Sequence, residues 1–144
     1  MKKALAALIF VGAVFAIIFT YTYQMEKESA AIMESITREG RVTMLNIGAQ
    51  FCPPCQAMEP VIEEVQEHYQ DRVHMPYLDM QKHSKQVQHL GVRTTPTQIF
   101  FDHQGEEVYR HEGILEKEEI KDKLDELLEK KSARLSGLSP AAAL

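Results

Sequence analysis

Cysteine is scarce in this chain, positive charge is in deficit, and no internal repeat is visible; each shortage removes a class of protein from consideration. The 16 Lys and Arg residues are outnumbered by 21 Asp and Glu, leaving a formal net charge of -5. A nucleic-acid binder needs a basic footprint to neutralise phosphates, so DNA and RNA are set aside as partners. Cys52 and Cys55 are the only 2 cysteines, too few for a four-ligand structural zinc site or a disulfide framework. The 6 histidines (His68, His74, His83, His89, His103, His111) are scattered, and their default reading is solvated surface. No metal and no cofactor are expected.

Charge is also missing from one long stretch. After Lys2 and Lys3, the run from Ala4 to Tyr23 contains no ionisable acid or base of the Asp, Glu, Lys or Arg kind. As a helix rising ~1.5 Å per residue it would reach about 30 Å, the thickness of a bilayer's hydrocarbon core. Tyr21 and Tyr23 suit an interfacial aromatic belt. The alternative is a cleaved signal peptide, whose apolar region is shorter, roughly 7 to 15 residues. Cleavage after Val14-Phe15-Ala16 would leave Ile17-Ile18-Phe19 exposed, and Ser29-Ala30-Ala31 lies far from the apolar run. An uncleaved transmembrane anchor over residues 1–25 is therefore the favoured reading, with a secreted form if the signal is removed. The lysines place the amino end in the cytoplasm and the remainder outside, where disulfides persist.

Beyond the anchor, residues 26–131 read as one domain and 132–144 as a flexible tail. Ala30, Ile32, Met33 and Ile36 have helical spacing, with Gly40 as a stop. "RVTMLNIGA" reads as a buried strand. Met58, Val61, Ile62, Val65 and Tyr69 line one face of a helix starting at Pro53, with a kink expected at Pro60. "VHMPYLDM" is a second strand, "KQVQHLG" a short helix, and "TQIFFDHQGEEVYRH" a hairpin turning at His103-Gln104-Gly105. The last helix presents Ile120, Leu124, Leu127 and Leu128 on one face, with acids early and lysines late, as the helix dipole prefers. This order implies an α/β domain, a mixed sheet with helices on both faces.

The cysteine pair falls at a strand-to-helix junction. There the free backbone N–H groups and the positive end of the helix dipole stabilise a negative sulfur, so Cys52 should have the lower pKa and act as nucleophile. Pro53 and Pro54 are tolerated in a first helical turn and stiffen the loop. Cys55, one turn in and more buried, would be the resolving thiol. As a structural staple the pair would be poor, because so short a loop removes little entropy from the unfolded chain.

"FCPPCQAMEP" followed by "RTTPTQIFF" resembles thioredoxin, from about Ser29 to Lys131. Pro60 stands five residues after the second cysteine, as in that family, and Gly113 matches another family glycine. The resemblance implies a thioredoxin fold, a redox-active Cys52–Cys55 disulfide, and a cis-proline at Pro96 after Thr95 that packs on the disulfide and helps bind substrate. It departs at Phe51, where the family has Trp, and at Pro53-Pro54, where it has Gly-Pro. It departs also at Asn46, where thioredoxins carry a buried Asp that assists proton transfer, and near Tyr77, in the place of a lysine. Asn cannot titrate, so proton removal from Cys55 must be assisted otherwise.

The expected function is thiol–disulfide exchange with exported proteins, in the reducing direction, fed by a membrane electron donor or acceptor. A rival of another class is a Cu(I)-delivery module using the dithiol without turnover, since thiolates are soft ligands. A third is a partner protein in which only the fold matters.

Overall fold

The computed structural model describes the backbone of residues 2–36 and 40–135 and, within the first helix, the side chains of 10–24, 27, 34 and 36. The chain divides into two compact units, Met1–Glu34 and Ser35–Leu144.

One helix α1 (Lys2–Ile36) replaces the two separate helices expected over this stretch. No proline or glycine stands between Gly12 and Gly40, so nothing in the sequence interrupts it. Phe10, Phe15, Ile17 and Phe19 are exposed along it. Among the described residues, no helix is both long and apolar enough to cross a membrane. The expected span of Ala4–Tyr23 lies within α1, and the side chains of its residues 4–9 lie outside those described.

The second unit is built on a mixed sheet. β1 (Val42–Gly48) pairs in parallel with β2 (Val73–His74) and β3 (Tyr77–Asp79), and antiparallel with β4 (Thr97–Phe101). β4 pairs antiparallel with β5 (Glu107–Glu112) through the expected hairpin, so β1 and β4 are central. The single strand expected over Val73–Met80 is two short ones. Pro76 has no N–H to give to a ladder, but its carbonyl accepts the Asn46 N–H at 3.0 Å, which keeps the segment against β1.

Three helices complete the unit: α2 (Pro53–Tyr69), α3 (Ser84–His89) and α4 (Lys117–Leu135). α2 continues past Pro60 to Tyr69. α4 runs to Leu135, beyond the Lys131 boundary expected for the tail; residues 136–144 lie outside those described. Alternate residues of the central strands, Val42, Met44 and Phe100, meet Met58, Val65 and Tyr69 of α2 and Ile120, Leu124 and Leu127 of α4 in one buried cluster. Each such side chain contributes roughly 1.5–3 kcal/mol by leaving water. Tyr69 places its hydroxyl 2.8 Å from Asp125 Oδ1, joining α2 to α4, and burial with that carboxylate raises the phenol's pKa.

Two histidines depart from the solvated-surface reading. His74 lies in β2 with Nε2 buried and unpartnered, and burial first, then Arg41, lowers its pKa. His103 Nδ1 is likewise buried without a partner.

Candidate active site

β1 ends at Gly48, and the chain turns through Phe51 to start α2 at Pro53. Cys52 is the N-cap residue, with extended backbone at φ -128° and ψ 94°. Its Sγ accepts the Cys55 N–H at 3.2 Å, one of the donors a helix leaves free in its first turn. Pro53 and Pro54 occupy the first helical positions, where a missing N–H costs nothing. Cys52 and Cys55 form a disulfide of S–S 1.99 Å across a Cα–Cα distance of 5.2 Å.

The second wall comes from far along the chain. The Thr95–Pro96 peptide bond is cis, and Thr95 Oγ1 donates towards Cys52 Sγ at 3.6 Å. Pro96 is buried, and its carbonyl accepts the Gly113 N–H at 2.8 Å. Gly113 sits at φ +106°, a backbone that side chains disfavour, and this fixes the loop behind Pro96. Every residue expected at the site therefore meets in one place: Cys52, Cys55, Pro53, Pro54, Thr95 and Pro96. Phe51 stands beside them 83% exposed, an apolar surface next to the sulfur.

The burial order of the two cysteine residues reverses the expectation. Cys52 is only 7% exposed, while Cys55 is half-buried. The reason is tertiary: the Thr95–Pro96 segment covers Cys52, whereas Cys55 borders a pocket of about 300 Å³ with Asn46, Glu59, Glu63 and Tyr77. Asn46 and Tyr77 face each other as register partners in β1 and β3. Burial first, then Asp79 and Glu59, raises the Tyr77 pKa, so its phenol stays neutral at physiological pH. A Cβ on Gly48 would come 2.8 Å from the Tyr77 hydroxyl, so glycine is what leaves that ring its place. Glu59 and Glu63 were not singled out from the sequence, although their spacing of four and eight residues from Cys55 in a helix puts all three on one side.

Residues 24–126 match the thioredoxin family model. The chain belongs to the thioredoxin family. It is 27% identical over 90 residues to a thioredoxin-like protein of Synechocystis, covering 62% of this chain and 85% of that one. It is 26% identical over 93 residues to a thioredoxin of Buchnera aphidicola, covering 65% and 85%. Among solved structures it resembles a thioredoxin from Nicotiana alata, with a TM-score of 0.61, 28% identity, and coverage of 70% of this chain and 85% of that one. A mutant thioredoxin from Halobacterium salinarum is similar at a TM-score of 0.60 and 26% identity, covering 67% and 82%. As a thioredoxin-family protein with a disulfide-capable Cys52–Cys55 pair, the chain is a protein-disulfide oxidoreductase. Among the described residues, no group of three or more His, Cys, Asp or Glu could hold a metal ion.

Proposed function

We propose that this domain reduces disulfides of exported proteins, with Cys52-Pro53-Pro54-Cys55 as its redox centre and the N-terminal helix as its tether in a bacterial cytoplasmic membrane. The amino end lies inside and the thioredoxin-like domain in the periplasm. The observation that carries the chemistry is the Cys52–Cys55 disulfide at the α2 N-terminus beside the cis Thr95–Pro96 bond.

In the reduced form, the Cys55 N–H and the Thr95 hydroxyl supply hydrogen bonds to a Cys52 thiolate, adding to the field of the helix end. That thiolate attacks one sulfur of a substrate disulfide and expels the other as a thiolate, giving a mixed disulfide. Cys55 then attacks Cys52 Sγ, the internal disulfide closes, and the substrate leaves with two electrons. An extended substrate segment pairs with the backbone beside Pro96, and exposed Phe51 offers it an apolar contact. A membrane thiol relay returns two electrons to the pair. The uncharged run from Ala4 to Tyr23 supports the tether and the lysines before it support the orientation.

Insulin reduction with dithiothreitol as donor tests the chemistry. Turnover is expected in the full-length protein, with a reduction potential nearer -270 mV than -120 mV. Tight stoichiometric Cu(I) binding with no turnover would replace this reading with the metal-delivery one. For the tether, the protein should stay in the membrane fraction after an alkaline carbonate wash; release into the periplasmic fraction would indicate a cleaved signal.

A further inference from the structure

Resolution by Cys55 needs its proton removed, and the residue beneath it cannot take one. Asn46 lines the same pocket as Cys55, yet its amide does not titrate in water. Its Oδ1 is buried with no hydrogen-bond partner, as is Oε1 of Gln98, its register partner in β4. Both are acceptors, and a buried acceptor of this kind is ordinarily satisfied by an ordered water where there is room for one. The pocket of about 300 Å³ has room for water between Cys55 and Glu59, which both line it.

The titratable groups facing this pocket are Glu59 and Glu63 from α2 and Tyr77 from β3. Tyr77 holds its proton at neutral pH and offers no base. Glu59 is one helical turn from Cys55, on the same side of α2, whereas Glu63 is two turns away and therefore some 6 Å further along the axis. Glu59 and Tyr77 both line this pocket.

We propose that Glu59 is the proton acceptor for Cys55, reached through water in the pocket that both line, and that it takes over the task of the absent buried aspartate. This rests on the proposed exchange chemistry and names how its second step is driven. The Cys55 S–H proton passes through water to the Glu59 carboxylate. The resulting thiolate attacks Cys52 Sγ, the Cys52–Cys55 bond forms, and the Cys52–substrate bond breaks. Its electron pair leaves on the substrate sulfur, which recovers the proton from Glu59 by the same path. Glu59 acts through water and not on the reacting sulfur, so it is a positioning residue for the proton.

The experiment mixes reduced full-length protein with glutathione disulfide, quenches with acid at set times, and follows the glutathione adduct on Cys52 by mass spectrometry. In E59Q the adduct should form at the wild-type rate but decay roughly 10-fold or more slowly at pH 6–7, with the gap closing as pH rises and the thiol ionises unaided. E63Q should decay like wild type, and N46D should restore fast decay in the E59Q background by placing a carboxylate at the pocket floor. Equal decay of E59Q and wild type at every pH would overturn the proposal, as would a slowing by one constant factor across the pH range. If wild type forms no adduct at all, the exchange reading itself falls; if it forms and resolves one normally while E59Q does the same, only the role of Glu59 falls.

Discussion

The two sulfurs of one disulfide occupy unlike surroundings. Cys52 is capped from two sides, by the Cys55 N–H of its own helix and by the Thr95 hydroxyl from a distant loop. Cys55 lines a pocket together with Asn46, whose Oδ1 is buried with no partner. One side therefore stabilises negative charge by fixed donors, and the other handles a proton through solvent. The contrast teaches that three residues of separation are enough to divide a nucleophile from a resolving thiol, provided the helix end supplies donors to one and a neighbouring strand opens a cavity beside the other.

The largest test removes the contrast altogether. Cys52→Ser should abolish insulin reduction, and Cys55→Ser should trap a stable mixed disulfide with substrate, visible as a reducible adduct on a gel. Retention of turnover in either variant would show that the sulfurs do not divide the labour.

A smaller change sharpens the Cys52 side. Thr95→Val keeps the shape of the wall and removes the hydroxyl near Sγ. Loss of a hydrogen bond to an anion should raise the Cys52 pKa by roughly one unit, seen as a shifted pH profile of iodoacetamide alkylation. An unshifted profile would leave the helix end as the whole cause.

His74 extends the comparison to a buried polar group far from the chemistry. Its Nε2 is unpartnered and its folded-state pKa is lowered, so the unfolded state binds the proton more readily. The stability this contributes is complete above the ordinary histidine value and is lost as pH falls below it towards the folded value. The urea midpoint of the wild type should therefore drop between pH 7.5 and 5 more than that of His74→Gln.

The smallest effect is expected at the surface. Lys117 and Glu64 pair at 2.9 Å with both side chains substantially exposed. Solvent screens such a pair, so Lys117→Ala should change the urea midpoint only marginally, and raising salt should erase the difference.

Much of this was legible in the residues. The short β-branched and apolar run "RVTMLNIGA" marked β1, the Met58, Val65 and Tyr69 spacing marked the buried face of α2, and the hairpin and the start of the last helix lay where their patterns put them. The split into β2 and β3 was harder to read, because Pro76 both breaks a ladder and anchors it by its carbonyl. Two patterns, one apolar all round and one amphipathic, predict two elements, and α1 joins them because no proline or glycine divides them.

The sequence alone determined the reactive pair, its place at a helix start, and the periodic faces that make a mixed sheet with helices, because these depend on neighbours within a few residues of each other. Only the tertiary structure decided which cysteine is the more buried, that Thr95 reaches Cys52 across 43 positions, and that Asn46, Glu59 and Tyr77 share a pocket with Cys55. Burial and hydrogen bonding at those atoms depend on segments that the chain brings together through the sheet, and no local spacing records which of two adjacent sulfurs the returning loop will cover.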